Sequence, residues 1–290
     1  MAQDPRTKYP QPPFAQQAQD APGLSARMQP EPDCGELSYK GSGRLEGRVA
    51  VITGADSGIG RAVAIAYARE GADVVVAYLD EHEDAEKTGR WVREAGRRVL
   101  LVPGDLSQRE PCRALIERAV AEFGRVDVLV NNAAYQHTRA SIEDVSDEEW
   151  EYTFAANVHS MFRVTKAAMA HMAPGSSIVN TSSVNFKHPM PSLLAYSATK
   201  AAIANFTAGL AQGAIEKGIR VNAVLPGPIW TPFIPTGMEA EQVKTFGSQS
   251  PYGRPGQPAE LASAYVMLAE ENGSFTSGAM VTVGGAMPIL

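Results

Sequence analysis

The chain has 290 residues, 44% of them hydrophobic and 20% charged, and its 26 basic residues are outnumbered by 32 acidic ones for a formal net charge of −6. That profile suits a soluble globular chain with one large core or two modest ones, and the lack of a dense Lys/Arg cluster argues against a nucleic-acid surface. Cys34 and Cys112 are too few for a disulfide framework and too far apart to suggest a metal-ligand pair, and neither the opening MAQDPRTKYPQPPF nor any later run has the character of a secretory signal or a membrane span, so a cytoplasmic protein is expected.

Residues 1–47 differ from the rest. They carry Pro5, Pro10, Pro12, Pro13, Pro22, Pro30 and Pro32, several glutamines and no regular apolar period, so they cannot bury enough surface to fold alone. This arm is expected either to be disordered or to lie extended over the body or a neighbouring subunit, with Tyr9, Phe14, Leu24 and Met28 as isolated anchors.

From Arg48 the pattern changes. VAVIT at 49–53 reads as a buried strand, GADSGIG as a glycine-rich turn, and 61–69 as an apolar helix. Strands follow at 73–78, 98–102, 126–131, 177–181, 219–224 and 279–283, with helices predicted after the second and third, over 147–172, and over 197–216. Continuous Val/Ile/Leu strands alternating with helices describe an α/β fold in one domain, residues 48–290, its parallel sheet covered by helices on both faces. The exception is 226–257, rich in Pro and Gly with a helical patch around 237–246, which reads as a substrate loop or lid.

The run Thr53-Gly54-Ala55-Asp56-Ser57-Gly58-Ile59-Gly60 sits between the first strand and the first helix, where a phosphate-binding turn belongs. Gly54 permits the turn, Gly58 lets the backbone approach a pyrophosphate, and Gly60 lets the helix pack on the sheet. Such a turn alone is weak; its strand-to-helix setting makes it a dinucleotide signal. The second strand ends in Tyr78-Leu79-Asp80, and Ser57 occupies the loop position from which a basic side chain would reach a 2′-phosphate. The cofactor is therefore NAD or NADP, with NAD favoured because Asp80 can take the acidic role; Arg61 and Lys87 are the cations that could fold back toward a phosphate.

Tyr196 and Lys200 stand four apart at the start of a predicted helix and share one face. A phenol with pKa near 10 is a poor base at neutral pH, and a nearby ammonium lowers that value. Ser183, at the end of the fifth strand, can donate to a substrate oxygen that gains or loses charge. Tyr/Lys pairs at this spacing are common by chance, and serines ending strands are more often turns or caps than catalysts.

These pieces acquire meaning together. TGADSGIG at 53–60, GDL at 104–106, NNAA at 131–134, Asn157, NTSS at 180–183, YSATK at 196–200 and PGPIWTP at 226–232 resemble, in order, the motifs of the short-chain dehydrogenase/reductase family, across residues 48–285. The resemblance implies a Rossmann-type sheet of seven parallel strands in the order 3-2-1-4-5-6-7 and a catalytic tetrad of Asn157, Ser183, Tyr196 and Lys200. It implies Tyr196 as general acid/base, Ser183 orienting the carbonyl or hydroxyl, and Lys200 holding the nicotinamide ribose and depressing the tyrosine pKa. Asn157 would hold a water that continues a proton relay. Gly54, Ser57, Gly58, Ile59 and Gly60 would cradle the pyrophosphate, Tyr78 and Leu79 would flank the adenosine, Asp105 and Leu106 would meet the adenine, and Asn131 and Ala133 would lie beside its ribose. Pro226, Gly227, Ile229 and Thr231 would line the nicotinamide and phosphate side. It also implies a homotetramer built through the two long helices carrying Asn157 and Tyr196. The arm, YKGSGRL before the first strand and the GPIWTP and GRPGQP loops resemble more narrowly a bacterial subgroup with a proline-rich extension, and Tyr78 departs from the acid usual in NAD-using members.

The expected activity is hydride transfer between a nicotinamide and an alcohol or carbonyl carbon of a small alcohol, aldehyde, ketone or sugar, with Tyr135, His137, Val184, Asn185, Phe186, Leu193, Trp230 and Phe233 shaping the substrate space. No ligand-spaced cluster accompanies His137 or His188, and no metal is expected. Two other readings are a sugar-nucleotide epimerase or dehydratase, against which the first-loop spacing and the short chain after residue 225 argue, and a non-catalytic dinucleotide sensor, which would have no use for a proton donor.

Overall fold

Seven short runs of Val, Ile, Leu and Ala pair side by side as β1 (Val49–Thr53), β2 (Asp73–Tyr78), β3 (Val99–Pro103), β4 (Val128–Asn131), β5 (Ser177–Thr181), β6 (Arg220–Pro226) and β7 (Met280–Val283). In this computed structural model, which describes residues 3–287, all pairings are parallel and the order is β3-β2-β1-β4-β5-β6-β7. Successive strand side chains point to opposite faces. Val51, Val75, Leu129, Ile178 and Val221 therefore face one apolar cluster, while Ile52, Val74, Val76, Val130, Val179 and Val224 face another. Burial on both sides is why β1, β2 and β4 read as largely apolar runs, while β5 and β6 also carry buried Asn180 and Asn222.

Helices α1 (Gly58–Arg69) and α2 (His82–Glu94) cover one face, and α3 (Arg109–Phe123) covers the other. The expected long helix over 147–172 is interrupted: α4 (Asp147–Phe154) and α5 (Ser160–Ala168) flank a π turn at Ala155–His159. Further on come α6 (Leu194–Ala214), α7 (Phe233–Gly237), α8 (Ala240–Lys244) and α9 (Ala259–Ala269). Where a helical patch is predicted at 237–246, α8 lies within it and α7 runs up to its first residue. No helix was read at α9; Leu261, Ala262, Tyr265, Val266, Leu268 and Ala269 are all buried, which leaves little amphipathic contrast to read.

The arm runs extended along the body. Phe14 and Met28 join Trp230, Ile234 and Val243 in a satellite cluster, and Tyr9 and Leu24 are partly buried. Further along, Cys34 is buried against Ala62 and Ile65 of α1. Arg254 donates to the Pro5 carbonyl (2.6 and 3.0 Å), pairs with Glu260 at 2.8 Å, and lies 5.1 Å from the Tyr9 ring.

Candidate active site

Thr53, Asn131, Thr181 and Pro226 are the last residues of four parallel strands, so the segments after them gather at one edge of the sheet. The glycine turn is tight. A Cβ on Gly60 would stand 1.9 Å from the Gly54 carbonyl oxygen, and one on Gly58, whose φ is +50°, would stand 3.0 Å from the Thr231 methyl. Thr53 Oγ1 accepts the backbone N–H groups of Asn132 and Ala133 (2.9 and 3.0 Å), tying the NNAA segment to the turn.

Arg61 does not fold back toward the nucleotide. It is buried, paired with Asp84 at 2.9 Å, and donates to the Asp56 carbonyl at 2.8 Å, bracing the turn from behind. Lys87 is likewise turned aside, paired with Glu31 of the arm. At the end of β2, the Tyr78 hydroxyl meets His82 Nδ1 at 2.9 Å, and Leu79 is exposed. Burial, with Glu81 nearby, pushes the Asp56 carboxyl up to about 7, and burial raises Glu81 as well. Asp105 accepts from the backbone N–H and hydroxyl of Ser107 (2.9 and 2.8 Å), which fixes the loop that carries Leu106.

Tyr196 and Lys200 lie in the first turns of α6, with the Lys200 ammonium 5.2 Å from the Tyr196 ring centre. Lys200 is buried and donates to the Thr181 carbonyl at 2.9 Å, a partner that sequence reasoning missed. Burial lowers its pKa to about 7 and raises that of Tyr196 to about 12, the latter offset in part by a hydrogen bond with Ser183. Ser183 follows β5, and its Oγ accepts the Asn185 N–H at 3.2 Å. Asn157 sits in the π turn. Its amide accepts from the Tyr135 N–H (2.6 Å) and donates to the Tyr135 carbonyl (2.9 Å) and Thr199 Oγ1 (3.0 Å), while Thr199 donates to the Tyr196 carbonyl (2.6 Å). The four predicted catalytic residues thus come together on three segments.

Asn131 is buried, with its Nδ2 donating to Thr165 Oγ1 and Asn180 Oδ1, both at 2.9 Å. Its Oδ1 has no partner among the described residues and, with Asn157, Ser160 and Thr181, belongs to the surroundings of a cavity of about 10 Å³.

After β6, the Gly227 N–H donates to the Val283 carbonyl at 3.0 Å, and Ile229 packs its side chain into the core while its segment bridges to Gly256. Trp230 does not line substrate space. It is fully buried beneath the arm, donates to the Pro30 carbonyl at 2.8 Å, and its ring centre lies 4.3 Å from that of Phe14. Phe233 does approach the centre, its ring 6.2 Å from the Tyr196 ring.

These residues fit a dinucleotide. The turn leaves no room for a side chain at Gly60, the N-terminus of α1 has no side-chain cap, Asn131 holds a buried acceptor without a donor among the described residues, and Lys200 has N–H groups beyond the one given to Thr181. The family model described as "Enoyl-(Acyl carrier protein) reductase" matches residues 54–287. The chain is 47% identical over 284 residues to the uncharacterized oxidoreductase YghA of Escherichia coli, covering 97% of each chain. It is 44% identical over 274 residues to the NADPH-dependent aldehyde reductase 1, chloroplastic, of Arabidopsis thaliana, covering 92% of this chain and 95% of the relative. Among solved structures, a short chain dehydrogenase from Burkholderia cenocepacia in complex with NADP superposes with a TM-score of 0.78 at 30% identity, over 83% of this chain and 98% of the other. The chain belongs to the short-chain dehydrogenase/reductase family, and it is an NAD(P)-dependent oxidoreductase of CH–OH and C=O groups on small organic molecules. Among the described residues no helix is long and apolar enough to cross a membrane, and no group of three or more His, Cys, Asp or Glu side chains is placed to hold a metal ion.

Proposed function

We propose that Tyr196 is the general acid/base of this oxidoreductase, exchanging a proton with the substrate oxygen at the carbon that gains or loses a hydride. What supports this reading is the buried Lys200 ammonium 5.2 Å from the centre of the Tyr196 ring, with Ser183 lowering the pKa of the phenol. Bound nicotinamide supplies or accepts the hydride. In reduction, Ser183 holds the carbonyl oxygen and Tyr196 donates its proton to it. The phenolate left behind is stabilised by the Lys200 charge. Asn157, whose amide joins Tyr135 to Thr199 next to Tyr196, would hold a water that continues the proton relay past Lys200.

Gly54, Ser57, Gly58, Ile59, Gly60 and Thr231 would hold the pyrophosphate, Tyr78, Leu79, Asp105, Leu106, Asn131 and Ala133 the adenosine, and Pro226, Gly227 and Ile229 the nicotinamide side. NAD is the preferred cofactor, since Arg61 and Lys87 are both engaged in ion pairs and Asp80, exposed just past β2, can take the acidic role. The assembly is a homotetramer through the helices that carry Phe162 and Phe206, whose rings lie 6.5 Å apart with Phe162 exposed. Light scattering is expected to give about four times the 30.9 kDa chain mass. The arm marks a subgroup, a reading supported by the 97% coverage of both chains in the match to the Escherichia coli relative.

The test is NADH oxidation with a panel of aldehydes, ketones and sugars. Wild type is expected to turn over at least one member and Tyr196→Phe to lose about 10²–10⁴-fold in kcat while binding dinucleotide normally. Equal background rates in both proteins, with binding intact, would establish a sensor instead.

A further inference from the structure

The arm is fastened to one part of the body in particular. Phe14 stacks on Trp230 with ring centres 4.3 Å apart, and the Trp230 indole N–H is received by the Pro30 carbonyl at 2.8 Å. The Phe14 N–H donates to the Lys244 carbonyl (2.9 Å), the Gln19 N–H to the Pro235 carbonyl (3.0 Å), and Gln16 bonds to Glu241. All of these partners lie in 230–244, the segment holding α7 and α8. From the other side α7 is met by the loop after β4, where Thr138 donates through both its N–H and its hydroxyl to the Gly237 carbonyl at 2.9 Å. Phe233, the first residue of α7, is carried between these two supports to within 6.2 Å of the Tyr196 ring.

We infer that Phe14 and the Pro30 carbonyl are positioning groups for the substrate site: they hold Trp230, and through it α7, so that Phe233 stands beside Tyr196. This rests on the reading of Tyr196 as the reacting group. The physical argument is one of local stability. α7 and α8 are five residues each, too short to persist as isolated helices, and their order comes from tertiary packing. The Phe14–Trp230 contact and four hydrogen bonds with the arm supply that packing. The arm therefore sets the shape of the carbonyl pocket without touching what enters it. Its contacts near the nucleotide turn are separate: the Ser25 N–H donates to Asp84 of α2, the partner of Arg61, and the Cys34 thiol to the Gly58 carbonyl.

The experiment uses the full chain in four forms: wild type, Phe14→Ala, Trp230→Phe, which keeps a ring and loses the N–H, and Ile116→Val in the core cluster on the α3 face. Amide hydrogen exchange is expected to accelerate by about tenfold over 231–246 in Phe14→Ala and by a smaller factor in Trp230→Phe, with the sheet unaffected. KM for the carbonyl compound turned over best by wild type is expected to rise about fivefold or more, with kcat within about twofold. Ile116→Val is expected to leave both readouts at 231–246 and KM as in wild type. Unchanged exchange over 231–246 in Phe14→Ala, acceleration spread evenly over the chain, or an unchanged KM would each overturn the inference. Should wild type turn over no carbonyl compound, the reductase reading fails on that result, while the exchange pattern still decides whether the arm holds α7.

Discussion

At the scale of single residues the site is built on two opposed pKa shifts. Burial lowers Lys200 to about 7 and raises Tyr196 to about 12, so before ligands bind the phenol keeps its proton across the neutral range. On the role proposed for Tyr196, that protonated phenol is ready for reduction, whereas oxidation requires its loss. The oxidation rate is therefore expected to climb over roughly pH 7 to 10 while reduction does not, as steady-state profiles in the two directions would show. Lys200 also makes a stability prediction. The unfolded chain keeps the lysine proton up to its ordinary pKa of 10.5, and the folded chain releases it above about 7, so the group opposes folding in full below pH 7 and progressively less as the pH rises toward 10.5. Lys200→Met is expected to raise the Tm of the ligand-free protein most below pH 7, with the gain shrinking up the alkaline range; a gain independent of pH would refute this. The spacing of Tyr196 and Lys200 was visible in the sequence. The Thr181 carbonyl that receives the ammonium was not, because a main-chain acceptor leaves no mark on residue identity.

At the scale of elements, strands were legible because a sheet covered on both faces favours apolar runs, which β1, β2 and β4 supply and β5 and β6 supply in part. Other features were hidden for equally physical reasons. α9 is buried on most of its surface and shows little polar contrast, and the π turn at Ala155–His159 shifts the helical register without any residue that announces it. Trp230 carried no sign of its cover, since its partners lie some 200 positions earlier in the chain. The π turn places the Asn157 amide where it joins the Tyr135 backbone to Thr199. Asn157→Ala is expected to leave these groups unpaired at about 1–3 kcal/mol for each that stays dry, read as a fall in Tm, with a loss of activity at temperatures well below it. At the glycine turn, Gly60→Ala forces a methyl against the Gly54 carbonyl and is expected to abolish dinucleotide binding, measured by quenching of protein fluorescence by NADH.

At the scale of the whole molecule, the sheet fixes where chemistry can occur and the arm decides what surrounds it. The ends of β1, β4, β5 and β6 bring the glycine turn, Asn131, Ser183 and the Gly227 loop to one edge, and α6 brings Tyr196 and Lys200 across to meet them. Residues 5–34, which lack a core of their own, fasten the opposite side of the 226–257 segment through Arg254, Trp230 and Lys244. The claim on which the rest depends is that hydride and proton reach one carbonyl group together, the proton from Tyr196. Reduction of an aldehyde with NADH deuterated at the transferable position, followed by mass spectrometry of the alcohol, tests it most directly. The account predicts one deuterium on the carbinol carbon with wild type and almost no labelled alcohol with Tyr196→Phe at equal dinucleotide occupancy. Labelled alcohol formed by Tyr196→Phe at the wild-type rate would contradict it.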